Sequence, residues 1–250
     1  MTPQRFVKWF GEVPVLVSLL PVWGGLLPFC AVRFGYRSHG RIRIRGAGRL
    51  TLVNRLSAMV FVNIWVRREY PQPGKHDVVL DLGANVGLFS TFALWHGAKF
   101  CHCVEPCPTS VRHLESHLAE FGFADRTNII AKAVGAAERS GFIPFTSNVN
   151  NFVTEERAPG LVPVEIADIA NVFDELKPVP TYVKLDIEGD EVPVLQKLLS
   201  SSAINSVHTI AVESMEFADT IASLLARSGF IVRTYSRPAT IVVGIRAANQ

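Results

Sequence analysis

The sequence is poor in cysteine, with four in 250 residues. That excludes a disulfide-stapled fold and suits a reducing compartment. Cys101, Cys103 and Cys107 lie close together, but Cys101 and Cys103 alternate within an apolar run and no second Cys/His pair of zinc spacing follows. They are expected as core thiols, and no metal site is expected. His113 and His117 lack the glutamate of an HExxH arrangement, so both rings are expected in solvent. Acidic residues are scarce at the start. Residues 1–75 hold 12 Lys/Arg and 2 Asp/Glu, net +10, whereas residues 76–250 hold 13 and 20, net −7. The basic first third points to an anionic partner, and the acidic remainder does not suit nucleic acid.

A clean membrane span is also missing. Val13–Val32 has 20 uncharged residues, enough to cross a bilayer. Pro14, Pro21 and Pro28, with Gly24 and Gly25, argue against one straight helix. No small-x-small cleavage site marks a signal peptide. Arg33, Arg37, Arg41, Arg43, Arg45 and Arg49 follow at once. An apolar stretch beside a basic cluster is the pattern of a membrane-surface anchor, and residues 13–49 are expected to serve as one. The other reading is a segment packed on the domain or on a second subunit.

What is present is a full α/β core, with 48% hydrophobic and 19% charged residues. One domain with an extension is expected: an apolar and basic segment 1–40, a lead-in 41–75, and a main domain 76–250. Arg41 to Arg45 alternate as a strand with one wet face, and Leu50 to Val53 pair with it after the Gly46-Ala47-Gly48 turn. Residues 57–70 form a helix that starts at a Ser57 cap and is followed by Pro71, Pro73 and Gly74.

The chain is organised around VVLDLGANVGLFS, residues 78–90. Val78, Val79, Leu80 and Leu82 suit a strand buried on both faces, with Asp81 near its end. Gly83, Ala84 and Gly87 let the backbone turn tightly and approach a ligand. Leu88, Phe89, Phe92, Ala93 and Trp95 give the following helix its apolar side. A strand, a glycine turn and a helix N-terminus make a nucleotide-type cradle. A second strand, Phe100 to Val104, ends at Glu105, 22 residues after Gly83. An acidic group there can accept hydrogen bonds from both hydroxyls of a ribose.

Downstream, residues 109–121 form a polar helix and Asn128 to Val134 a third strand. Two β-like runs, Phe142 to Phe145 and Leu161 to Ile166, flank a polar SNVNN segment as a hairpin-like insertion near the site. Asp168 to Leu176 is a short helix. TYVKLDIEGDE, residues 181–191, builds another buried strand with Lys184, Asp186, Glu188, Asp190 and Glu191 crowding its end. In a parallel sheet the ligand crevice lies at the carboxyl ends of the strands, and charges there are costly unless solvated, paired or functional. Asp186 and Glu188 are candidate bases, with Lys184 orienting them or neutralising them. A helix over Val192–Leu199, a strand ending at Glu213, a helix over Phe217–Leu225 and two last strands complete the chain.

DLGANVG (81–87), EP (105–106) and KLDIEGDE (184–191) resemble the FkbM family of S-adenosylmethionine-dependent methyltransferases, as does RREY (67–70) before the first strand. The resemblance covers about residues 41–245. It implies a Rossmann-like α/β fold with a seven-stranded sheet in the order 3-2-1-4-5-7-6, the last strand antiparallel. It implies S-adenosylmethionine as cofactor and O-methylation of a hydroxyl on a sugar, lipid-linked glycan or secondary metabolite. By position, Asp81, Gly83, Asn85 and Gly87, with Ala84 in the same turn, line the methionine and ribose part of the cofactor. Glu105, with Pro106 after it, holds the ribose hydroxyls, and Asp186 and Glu188 lie beside the methyl group and acceptor. Cys107 departs from the polar residue expected after EP. The residues themselves disfavour a nicotinamide enzyme. A dinucleotide fingerprint starting at Gly83 needs glycine at 85 and glycine or alanine at 88, where Asn85 and Leu88 stand. A dehydrogenase and a non-catalytic cofactor-binding or membrane-scaffold protein remain the other classes. Because the cofactor is made in the cytosol, a cytoplasmic enzyme at the membrane face is expected.

Overall fold

The computed structural model of the chain describes residues 3–144, 153–214, 216–236 and 240–246. The chain opens with α1 (Pro3–Leu19), a five-residue π-helical turn Val22–Leu26, and α2 (Leu27–Arg33). Pro21 is extended, with φ −64° and ψ 145°, and cannot continue the helix before it. The two helical segments Gly11–Leu19 and Val22–Arg33 therefore meet at 110°. Among the described residues no single helix is long and apolar enough to cross a membrane, although this bent pair is by length and composition. Leu16, Leu20, Phe29 and Val32 are fully buried in the domain core, so much of the apolar stretch is packing surface.

A hairpin follows, β1 (Gly40–Arg43) and β2 (Arg49–Leu52). Ile42, Ile44, Leu50 and Leu52 face inward and the arginines outward. Then comes α3 (Arg55–Phe61), continued by a π-helical turn Val62–Val66. The expected Ser57 cap is corrected. Asn54 is the cap, and Ser57 closes a capping box with it, Ser57 N–H donating to Asn54 Oδ1 at 2.8 Å and Asn54 N–H to Ser57 Oγ at 3.1 Å. Asn and Ser three apart satisfy each other's orphan donors there. The helix also stops at Val66, so RREY lies outside it.

The main domain runs β3 (Val78–Leu82), α4 (Leu88–Trp95), β4 (Phe100–Val104), α5 (Pro108–Glu120) and β5 (Thr127–Ile130). Next come β6 (Ala133–Gly135), β7 (Arg139–Pro144), β8 (Leu161–Asp168) and α6 (Ile169–Glu175). The chain ends with β9 (Tyr182–Leu185), α7 (Glu191–Ser200), β10 (Thr209–Glu213), α8 (Ala218–Arg227), β11 (Ile231–Ser236) and β12 (Thr240–Ile245). Seven strands form one sheet in the order β11-β12-β10-β9-β3-β4-β5, with β12 antiparallel to both neighbours. This is the expected order and the expected reversal.

Side chains alternate between two cores, as the period of two requires. Val79, Tyr182, Ala211 and Val243 face α4 and the N-terminal helices. Leu80, Val183, Ile210 and Val242 face α6, α7 and α8. The strand expected over Asn128–Val134 is two. Residues 127–130 stay in the main sheet, and the chain turns at Lys132, whose N–H bonds Ile130 O. Residues 133–135 then join a second sheet, β6-β8-β7. The expected hairpin-like insertion is the antiparallel β7-β8 pair of that sheet. Phe145 and the SNVNN segment lie outside the described residues.

His117 is also corrected: it is 1% exposed. Its Nδ1–H donates to Val86 O and its Nε2 accepts from Thr51 N–H, both at 2.6 Å. The hairpin covers this face of α5, and a polar helix pattern alone did not reveal that cover.

Candidate active site

A cavity of about 380 Å³ opens at the carboxyl ends of β3, β4, β9 and β10. One wall is the loop after β3. Gly83 has φ +80°, and a Cβ there would stand 1.8 Å from Asp186 O. Only glycine fits so close an approach. Asn85 follows with φ +49°. Gly83 and Ala84 N–H both bond Val104 O at 3.0 Å. Glu105 closes this wall, 5% exposed. Its Oε2 accepts from Asn85 N–H at 2.9 Å and its Oε1 from Cys107 N–H at 2.8 Å. Burial pushes its carboxyl up to about 7, against the pull of those two amides and of Lys184.

The opposite wall is acidic. Lys184 is 3% exposed and directly opposes Asp81 across the parallel β3-β9 pair. Its Nζ lies 3.1 Å from Asp81 Oδ1, 3.2 Å from Asp186 Oδ2, and donates to Gly83 O at 3.1 Å. Burial works against its charge, yet Asp186 and Asp81 outweigh burial and hold the ammonium above its usual range. The rings of Tyr70 and Phe89 lie 5.6 and 5.9 Å from Nζ. Tyr70 OH donates to Glu213 Oε2 and lies 3.4 Å from Asp186 Oδ2. Burial, then the nearby Asp186, raises Glu213 to about 8. Burial, with Asp186 and Glu213 beside it, also lifts the Tyr70 phenol. Glu188 sits at the rim with φ +58° and part of its surface in solvent, and the partial burial of its carboxyl, followed by Asp186 and Glu191, brings it to about 6.

Of the residues singled out from sequence, Gly83, Ala84, Asn85, Glu105, Pro106, Lys184, Asp186 and Glu188 line this cavity. Asp81 and Gly87 stand behind the wall. Asp81 is fully buried between Lys184 and Ser90, whose Oγ donates to its Oδ2 at 2.6 Å. Gly87 is the α4 cap, at φ +79°, and a Cβ there would meet Leu114 Cδ1 at 2.4 Å. Cys107 contributes its amide to Glu105, and its thiol lies against Pro144 O at 3.7 Å. Tyr70 and Glu213 were not singled out as site residues, although RREY and the strand end at Glu213 were the visible signals. Leu56, Met59 and Val60 of α3 add an apolar side to the mouth. The β7-β8 insertion is tied in by the ion pair of Arg139 with Asp190 at the start of α7, while the pair of Arg139 with Glu155 lies within the insertion.

A seven-stranded sheet with its last strand reversed, and a glycine loop facing an acidic strand end, make up a Rossmann-like fold of the methyltransferase type. The methyltransferase FkbM domain matches residues 81–232, and the chain belongs to that family. Two solved structures share the fold. The methyltransferase FkbM of Methylobacillus flagellatus KT superposes with a TM-score of 0.51 at 17% identity, over 74% of this chain and 47% of that one. The chain thus spans about half of that protein's length. A transferase of Pyrococcus horikoshii superposes with a TM-score of 0.50 at 11% identity, over 84% of this chain and 73% of that one. No curated protein matches the sequence.

Proposed function

We propose that the protein transfers a methyl group from S-adenosylmethionine to a hydroxyl of an acceptor that has an apolar part: a sugar, a lipid-linked glycan or a secondary metabolite. The observation that carries this reading is the meeting of two walls on one cavity, the Gly83–Asn85 loop with Glu105 and the Asp186–Tyr70–Glu213 cluster. The residues fit the cofactor. Each Glu105 oxygen accepts one amide and keeps a lone pair for a ribose hydroxyl. Carboxylates lining the cavity suit a sulfonium cation. When bound, that cofactor supplies an activated methyl group. Leu56, Met59 and Val60 suit an apolar portion of the acceptor.

The chain's own task is alignment and proton removal. Asp186 is already ion-paired with Lys184. Glu213, raised to about 8, is the stronger base of the two once it has lost its own proton, as it does with rising pH through that value. Tyr70 OH holds one Glu213 oxygen and orients the carboxylate. Lys184 fixes both Asp186 and the Gly83 carbonyl, so it positions and does not exchange protons. The test is titration calorimetry with S-adenosylmethionine, followed by labelled-methyl transfer into lipid and glycan extracts. Cofactor binding and a labelled, base-stable ether support the reading. Tight binding of a nicotinamide dinucleotide with no S-adenosylmethionine binding overturns it.

A further inference from the structure

The first third of the molecule presents a surface that the cavity does not use. At the bend between α1 and α2, Trp23 is 84% exposed, and Val22 and Leu27 are about half exposed. Tyr36, just after α2, is 83% exposed. Large apolar groups gathered in water mark an interaction site. The bend lies against the basic hairpin: a Cβ on Gly24 would sit 3.7 Å from Arg43 Cβ. Arg43 stands directly across the strand pair from Arg49, and both are exposed. Like charges in direct opposition destabilise a strand pair. Neither arginine has an acidic partner among the described residues. Along the same strand face, Arg41 leads to an open groove that it lines with Tyr36, Arg37 and His39.

We infer that this face docks on an anionic lipid bilayer, with Trp23 and Tyr36 at headgroup level and Arg37, Arg43 and Arg49 among the lipid phosphates. Amphipathic rings belong at that depth. An anionic surface relieves the Arg43–Arg49 opposition, which a neutral protein partner does not. A nucleic-acid backbone leaves Val22, Trp23 and Leu27 without a role. Attachment is to the surface, because the inward sides of α1 and α2 are occupied by the core, with Leu16, Leu20, Phe29 and Val32 fully buried.

The test is flotation of the full chain with vesicles of phosphatidylcholine alone and of equimolar phosphatidylcholine and phosphatidylglycerol. Retention is expected on the anionic vesicles and not on the neutral ones. Arg43→Gln and Arg49→Gln should each lower the partition about five-fold, the equivalent of about 1 kcal/mol per charge. Anionic vesicles should shift the wild-type tryptophan emission to the blue, and Trp23→Phe should float but lose most of that shift. Thermal midpoints equal to wild type show that the variants are folded. Three results overturn the inference: no retention on anionic vesicles, equal retention by the double arginine variant, or a stable dimer abolished by Trp23→Ser. The last result would assign the face to a second copy of the chain.

Discussion

One wall of the cavity is mostly backbone and the other mostly side-chain charge. The backbone wall comes from consecutive residues, Gly83 to Asn85, turned by left-handed φ angles and pinned to Val104 O and Glu105. The charged wall is assembled from three separate places: Tyr70 before β3, Asp186 after β9, and Glu213 at the end of β10. The first tolerates almost no added atoms. The second is held together by charge and by the hydrogen bonds among Tyr70, Asp186, Glu213 and Lys184. Lys184 joins them, reaching Gly83 O on one side and Asp186 on the other.

The strongest way to break the contrast is Gly83→Ala. The new Cβ meets Asp186 O at 1.8 Å in a conformation with φ +80°. We expect a loss of about 4 kcal/mol or more, with the cofactor site lost as well. A thermal midpoint near wild type would show that the loop has room to relax. Isosteric changes on the other wall should keep the fold and lower turnover. Glu213→Gln and Asp186→Asn are each expected to cut kcat by about 10²-fold or more, with cofactor Kd nearly unchanged. In the wild type kcat should rise with pH through about 8, and Glu213→Gln should remove that limb. Glu188→Gln, at the rim, should do less.

Glu105→Ala should weaken cofactor binding by about 1–3 kcal/mol in calorimetry, the scale of hydrogen bonds to a charged group. A further effect is on stability across pH. Glu105 and Glu213 have folded values of about 7 and 8, above the ordinary 4.5. The folded chain therefore holds protons that the unfolded chain releases above pH 4.5. That stabilisation is complete below pH 4.5 and is lost as pH rises toward 8. The thermal midpoint should fall across that window, and Glu213→Gln should flatten the slope.

The backbone wall was legible in the sequence because its parts are neighbours there. DLGANVG contains the strand, the turn and the helix start, and Glu105 follows within one βα unit. The Asp81–Lys184 pair was not legible, since it exists only through the β3-β9 register. Glu213 and Tyr70 are 143 residues apart, and only the sheet order brings them together. The apolar pattern of α3 points to Ser57 as its start, whereas Asn54, three residues earlier, caps the helix and Ser57 answers it from N3. His117 looked solvated because the helix pattern of α5 carries no mark of the hairpin lying over it.

That buried ring has a mechanical consequence. It is a pin through two leaves, with Thr51 N–H on the hairpin side and Val86 O on the loop beside the cavity. Burial first, and the charge of Arg41 among smaller influences, hold the imidazole at about 4, below its ordinary 6.5. The neutral ring, the only form that can accept from Thr51 while donating to Val86, is thus retained through mild acid. Its contribution is lost as pH falls from 6.5 toward 4, when a second proton confronts the Thr51 amide. Until then, pulling on the hairpin pulls on the loop that follows Gly83. The protection factor of the Thr51 amide, its exchange rate taken relative to the intrinsic rate at the same pH, should fall in His117→Ala and in acid, and the residues around Val86 should open with it.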